Sequence, residues 1–300
     1  MTKVRRFFTL TVSFLTIYAF SQEACDTPVV PAKLRSFENV LYKSTLGMDV
    51  YLPEKKSEAL PLAFVIHGGA WIHGSRQDYR PLAKQLTAMG YVAVTVDYRL
   101  ANSAAGKFPA PVEDLRCALK TLKKNAAKYS IDTNRVVAIG FSAGAHLAAE
   151  LALTADSHGF SDLLCPAQEE TTHVQGVVGY YGPYDLRDLS GLNFKQKFIL
   201  TNFLGGLPSL NPKKAELASP AAQINNEAIP FYLVHAEDDE TVPVRSSREF
   251  SQALLKSNNS IEYVETKSGK HALELFDKRD FAREATCGAI KYLQEFVAAH

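Results

Sequence analysis

The chain has 300 residues, 46% of them hydrophobic, 22% charged and 10% aromatic, with 33 Lys plus Arg against 32 Asp plus Glu. This composition excludes disorder and collagen-like repeats, and a chain of this length buries roughly 75% of its unfolded surface, enough to build a deep pocket without metal or disulfide staples. A formal net charge of +1 without a concentrated basic face gives no basis for a nucleic-acid partner.

Residues 1–21 read as a secretory signal peptide. Lys3, Arg5 and Arg6 make a basic start, an apolar run follows from Phe7 to Phe20, and small Ala19 and Ser21 flank Phe20, which puts cleavage before Gln22. A membrane-spanning helix needs about 20 apolar residues, and this run is interrupted by Thr9, Thr11, Ser13 and Thr16. Polar Gln22-Glu23-Ala24 argues against a lipid anchor on Cys25, and no other segment is apolar enough to cross a bilayer. The expectation is a secreted or periplasmic protein without a stable membrane anchor, whose cleaved form carries 30 basic and 32 acidic residues. Its four cysteines, Cys25, Cys117, Cys165 and Cys287, allow three disulfide pairings, and their spacing does not choose among them or favour bridges over free thiols. No CxxC or HExxH pattern suggests a redox or zinc site.

Phe37 to Lys43 and Met48 to Leu52, separated by Ser44-Thr45-Leu46-Gly47, predict an antiparallel hairpin. From Leu62 onward, short β-branched runs alternate with longer amphipathic stretches, the pattern of βαβ units around a mostly parallel central sheet flanked by helices. The predicted strands are Leu62 to Ile66, Val92 to Val96, Arg135 to Ile139, Val174 to Tyr180, Phe231 to His235 and Ile261 to Thr266. Helices are predicted where Val112, Leu115, Leu119, Leu122 and Ala126 recur, from Ala143 to Leu153, and from Phe276 to Val297. One stretch, from Tyr184 to Pro220, is too long for a plain connection. Its apolar residues, among them Phe194, Phe198, Phe203 and Leu204, predict a small cap over one end of the sheet, with most of its aromatics packed onto the sheet and stacking on a ring of the substrate at the rim the alternative for Phe194 and Phe198.

Two loops carry chemistry. His67-Gly68-Gly69-Ala70-Trp71 directly follows the first predicted parallel strand, where glycines let backbone N–H groups turn toward a reacting carbonyl. Gly140-Phe141-Ser142-Ala143-Gly144 lies between a strand and a helix; this GxSxG order suits a serine nucleophile on a tight turn, with the helix N-terminus facing developing negative charge. Gly69, Ala70 and Ala143 are thus candidate oxyanion donors. Trp71 is a candidate substrate contact or a core aromatic beneath the loop, and His67 reads as structural.

With these motifs, the chain resembles an α/β-hydrolase of the esterase and lipase group, and most of all the bacterial bifunctional feruloyl and acetyl xylan esterases. Asp97-Tyr98-Arg99, Gly140 to His146, Tyr180-Tyr181-Gly182-Pro183, Ser219-Pro220 and His235 to Pro243 carry the resemblance together with His67 to Trp71. It implies one α/β-hydrolase domain over residues 22–300 with a cap insertion at about 184–220.

On this fold the acid and the base follow the nucleophile in that order. Among the later histidines, His146 lies on the elbow helix and His235 inside a strand, whereas His271 follows the loop Lys267-Ser268-Gly269-Lys270 just past the last predicted strand. Position and order therefore select His271 as general base. Four carboxylates, Glu237, Asp238, Asp239 and Glu240, compete for the acid, and position does not separate them. The resemblance does: related sequences place the Asp four residues before the proline of Val-Pro, which implies Asp239, with Asp238 the alternative.

The expected activity is that of a serine esterase acting without a cofactor on a small ester or an acylated polysaccharide, acetylated or feruloylated. A serine peptidase or amidase on the same fold is the nearest enzymatic alternative. A binding protein on a hydrolase scaffold is the alternative of another class, although such proteins typically lose a triad residue.

Overall fold

A computed structural model describes residues 25–54, 58–155, 157, 159–160, 164–225, 228–257 and 259–298. The expected leader lies outside them. Among the described residues, eight strands form one sheet: β1 (Leu34–Lys43), β2 (Leu46–Pro53), β3 (Leu60–Ile66), β4 (Val92–Val96), β5 (Ile131–Phe141), β6 (Gly176–Tyr180), β7 (Phe231–Ala236) and β8 (Ile261–Thr266). Their spatial order is β1-β2-β4-β3-β5-β6-β7-β8. The first two strands form the expected hairpin and run antiparallel, whereas β3 to β8 are all parallel.

The interior strands are apolar on both faces because helices cover both. Along β3, Leu62, Phe64 and Ile66 point into one core with Leu115 and Leu119 of α2 (Ala110–Lys124) and Leu147 and Leu151 of α4 (Ala143–Leu153). Ala63 and Val65 alternate into a second core with Leu86 of α1 (Arg80–Ala88) and Leu293 of α8 (Arg283–Ala298). A single helical turn, α3 (Ala126–Tyr129), leads into β5, and α7 (Arg245–Lys256) packs Phe250 and Leu254 into the first core.

Register brings the loops of interest to one edge. Ile66 of β3 pairs with Gly140 of β5, Phe141 pairs with Tyr180 of β6, and Ala236 of β7 pairs with Thr266 of β8. The glycine loop, the GxSxG turn, the acidic turn and the His271 loop therefore all leave the C-terminal ends of parallel strands, where open α/β sheets place their ligands.

The insertion between β6 and β7 folds into α5 (Phe194–Leu204) and α6 (Pro212–Leu217) with short 3-10 turns. The helix expected from Phe276 starts later, at Arg283, after a 3-10 turn over Asp280–Ala282. The Asp277 carboxylate explains the delay: it accepts from the Arg279 backbone N–H at 3.0 Å and its Nε at 2.8 Å, an Asx-type turn that competes with helix. Of the three pairings one forms, Cys25–Cys287 with Cys117–Cys165, with Cα atoms 5.2 and 5.4 Å apart. The first ties the N-terminal segment to α8, and the second ties α2 to the chain beyond α4.

Glu150, on α4, is fully buried, and neither carboxylate oxygen has a hydrogen-bond partner among the described residues. Burial pushes its pKa well above the usual carboxylate range and favours the neutral acid. A raised folded-state pKa costs stability once pH exceeds the unfolded value near 4.3, and the cost grows until the folded value is reached. Glu150→Met is therefore expected to raise stability by about 1 kcal/mol or more at pH 7, with a smaller gain at pH 4, as read from urea denaturation at the two pH values.

Candidate active site

Ser142 sits at the turn between β5 and α4 with φ 54° and ψ −121°, a strained conformation that costs about 1–3 kcal/mol and lifts the side chain clear of both elements. Its backbone N–H donates to the Tyr180 carbonyl at 2.9 Å, which fixes the turn on β6. Its hydroxyl lies 2.7 Å from His271 Nε2, and His271 Nδ1 lies 2.7 Å from Asp239 Oδ2. The three side chains form one continuous hydrogen-bonded chain across three loops.

Asp239 is held from several directions. Its Oδ1 accepts from the backbone N–H groups of Thr241 at 2.8 Å and Val242 at 3.0 Å. Its Oδ2, besides His271, lies 3.2 Å from Nε2 of His235, a fully buried ring at the end of β7. Burial on its own would raise the Asp239 pKa, but the hydrogen bonds from His235 and His271 outweigh it and hold the carboxyl far below the ordinary range. Asp239 is thus a permanent anion against the imidazole. Asp238, one residue earlier, instead accepts from the Lys270 backbone N–H at 2.8 Å at the exposed surface and steadies the loop that carries His271.

The glycine loop lines the same cleft. The Gly68 carbonyl accepts from His67 Nδ1 at 2.7 Å, and the Gly69 carbonyl accepts from the N–H groups of Ile72 and His73 at 3.0 and 3.1 Å. Because trans peptides place N–H opposite C=O, the Gly69 and Ala70 N–H groups point the other way. Gly69 and Ala70 line the cleft with Ser142 and His271. Ala143 is the first residue of α4, so its N–H has no partner within the helix. His67 is buried and stacked 4.2 Å from Tyr98, in keeping with its expected structural role.

Trp71 packs as the second of its two sequence-based readings describes, a core aromatic beneath the glycine loop. It is 2% exposed, lies outside the cleft lining and stacks on Phe203 of α5 with ring centroids 4.2 Å apart. Its indole N–H donates to His146 Nδ1 at 3.3 Å, and His146 Nε2–H donates to the Ala218 carbonyl at 2.9 Å. One buried imidazole therefore joins the glycine loop, the elbow helix and the cap. Burial lowers the His146 pKa to about 4, so it is neutral at pH 7. Between pH 6.5 and 4 the unfolded chain binds a proton at this site that the folded chain does not, and stability falls as pH drops through that window. A loss of up to about 3 kcal/mol by pH 4 is expected. His146→Gln should flatten this part of the melting-temperature profile; an unchanged slope would mean that other groups set it. His67, whose pKa burial also lowers, acts in the same direction.

The cleft has a volume of about 860 Å³. Tyr79, Phe141, Tyr181 and Phe276 are its aromatic lining, and Lys195, Ile199 and Thr241 come from the cap and the acid loop. Sequence reasoning missed His235 and Tyr181 as neighbours of the three-residue chain. The Tyr181 ring lies 4.4 Å from that of His271, and its hydroxyl donates to the Leu273 carbonyl at 3.0 Å. The available signals were the position of His235 four residues before Asp239 and the Tyr180-Tyr181-Gly182-Pro183 segment. Among the described residues no group of three or more His, Cys, Asp or Glu side chains converges as a metal site would.

Known proteins share this arrangement of elements. A truncated carbohydrate esterase from gut microbiota superposes with a TM-score of 0.76 at 22% identity, over 91% of this chain and all of that one. An acetyl ester-xyloside bifunctional hydrolase from Caldicellulosiruptor lactoaceticus superposes with a TM-score of 0.71 at 26% identity, over 83% and 88%. The architecture is the α/β-hydrolase fold. Esterase LipQ of Mycobacterium tuberculosis is 33% identical over 219 residues, covering 72% of this chain and 51% of LipQ. The chain spans about half the length of the curated relatives it matches. The BD-FAE family profile matches residues 48–254, a stretch that begins in β2, takes in the glycine loop, the GxSxG turn and the acid loop, and ends in α7; the chain belongs to the BD-FAE family.

Proposed function

We propose that this protein is an exported serine esterase that hydrolyses short-chain acyl esters of carbohydrates, acetyl first and feruloyl second, through an acyl-serine. The observation that carries the proposal is the unbroken chain from Asp239 through His271 to Ser142, with both bonds to His271 at 2.7 Å, opening on a cleft lined by Gly69 and Ala70. His271 Nε2 takes the Ser142 hydroxyl proton as Oγ adds to the ester carbonyl. The tetrahedral oxyanion accepts from the N–H groups of Gly69, Ala70 and Ala143, each of which contributes about 3–4 kcal/mol of transition-state stabilisation. His271 then returns the proton to the leaving alcohol. Water repeats the sequence on the acyl-serine and frees the acid, while Asp239 stabilises the imidazolium in both halves.

Relatives and structural neighbours named as esterases support the reading, and two neighbours are named for carbohydrate or acetyl ester substrates. Two disulfides agree with an oxidising compartment, and Cys25, engaged with Cys287, has no free thiol for a lipid. Export by cleavage before Gln22, leaving one domain over residues 22–300, belongs to the same proposal. Rates with acetylated xylan, methyl ferulate and p-nitrophenyl esters from acetate to palmitate test it. Acetyl esters are expected to turn over fastest. A maximum at octanoate or beyond would favour a lipase, and turnover confined to peptides or amides would replace the esterase reading.

A further inference from the structure

We propose that Phe194 and Phe198, on the cap helix α5, form a stacking platform for the sugar rings of a polysaccharide whose ester lies at Ser142. This rests on the esterase reading above and extends it from the reacting ester to the polymer on either side of it.

The expectation that the cap aromatics pack inward holds for Phe203, which is fully buried, and fails for these two: Phe194 is 85% exposed and Phe198 63%. Neither packing nor local propensity accounts for them. The helix is anchored through Leu200, Phe203 and Leu204, and phenylalanine is a poorer helix former than the alanine or leucine that such positions accept. The two rings are four residues apart, so they stand on one face, separated by roughly 6 Å along the axis. Lys195 and Ile199, each one residue further on, line the cleft that contains Ser142. Neither ring lines the cleft itself; at about 100° per residue the platform stands on the helix face next to the one that does.

The platform is also fixed in place. Asn193 and Gln196 form a capping box at the start of α5, and Gln196 Nε2 donates to the carbonyls of Glu240 and Thr241, in the loop that carries Asp239. At the other end, Asn202 Nδ2 donates to the Ala101 carbonyl at 2.8 Å, and Phe203 stacks on Trp71 beneath the glycine loop. A pivoting lid would have to break all of these contacts; a docking surface held in register with the serine needs them.

The chemistry of the patch points to a sugar chain. The C–H face of a pyranose ring is apolar and lies flat on the electron-rich face of an aromatic ring. Two rings in a row, flanked by the exposed donors Lys195 and Lys197, suit a linear hydroxyl-rich polymer. A lipid surface calls for one broad apolar face, whereas the other exposed apolar side chains of the insertion, Leu207 and Leu210, lie beyond the end of α5.

The test uses the full chain and the double variant Phe194→Ala/Phe198→Ala, whose altered side chains are exposed. The ratio of kcat/KM on acetylated xylan to kcat/KM on p-nitrophenyl acetate is expected to fall by about tenfold or more through KM, and Phe194→Tyr/Phe198→Tyr should restore it. In a Ser142→Ala background, binding to xylan measured by calorimetry should weaken by the same factor. An unchanged ratio together with unchanged xylan binding would overturn the proposal. So would loss of binding to phosphatidylglycerol vesicles with xylan binding intact, which would assign the patch to a lipid surface. A wild-type chain that binds xylan through these rings but hydrolyses no ester would leave the platform standing and remove the esterase reading instead.

Discussion

Ser142→Ala and His271→Ala are each expected to reduce ester turnover by about 10⁴-fold or more, and the double variant should be little worse than either single one. In the proposed mechanism the serine and the imidazole act as one unit: without the base the hydroxyl is not deprotonated, and without the hydroxyl the base has nothing to activate. Residual turnover would come from the oxyanion donors and binding. Asp239→Asn should cost a similar factor, because the amide presents a donor where Nδ1–H of His271 needs an acceptor, and the ring is left in the wrong tautomer. Asp238→Asn should cost less than about tenfold, since that side chain accepts only from the Lys270 backbone at the surface. Steady-state kinetics on p-nitrophenyl acetate rank all four, and a larger loss at Asp238 than at Asp239 would move the acid by one residue.

The second large effect concerns folding. A Cβ placed on Gly144 would lie 2.2 Å from the Ile66 carbonyl oxygen, and one on Gly140 would lie 2.1 Å from the Gly144 carbonyl oxygen. Both contacts are with backbone, so neither is relieved by a rotamer change. The GxSxG glycines are there because α4 crosses directly over the ends of β3 and β5, and that close approach sets the height of Ser142. Gly140→Ala and Gly144→Ala are each expected to cost about 3 kcal/mol or more, enough to unfold a marginal domain. Gly206→Ala is the control: its added Cβ meets nothing within 4 Å, and a change below about 0.5 kcal/mol is expected. Urea denaturation followed by circular dichroism compares the three. Wild-type stability in Gly144→Ala would mean that the elbow is looser than its geometry implies.

Much of this architecture was legible in the residues. The β-branched runs alternating with amphipathic stretches gave the parallel sheet, because strands buried on both faces must be largely apolar, as β3 is throughout and β4 is except for Thr95. The strand–GxSxG–helix order located Ser142, and the loop after β8 located His271. What stayed open depended on long-range geometry. Four neighbouring carboxylates look alike in sequence, and only the fold decides which one receives the Thr241 and Val242 N–H groups and two imidazoles. Trp71 had two readings for the same reason: its partner Phe203 comes from an insertion more than a hundred residues later. Disulfide partners depend equally on tertiary proximity, and the late start of α8 on a local contest that Asp277 wins. Within the cap, the apolar spacing pointed to a packed insertion but not to which ring faces water.

The most direct measurement is covalent labelling of the folded chain with a fluorophosphonate, followed by intact mass and peptide mapping. One phosphonyl group per chain is expected, attached to Ser142, with parallel loss of ester turnover, and no label in Ser142→Ala. Full inactivation with the label on another residue, or undiminished turnover in a chain fully labelled at Ser142, would contradict the assignment of Ser142 as the nucleophile.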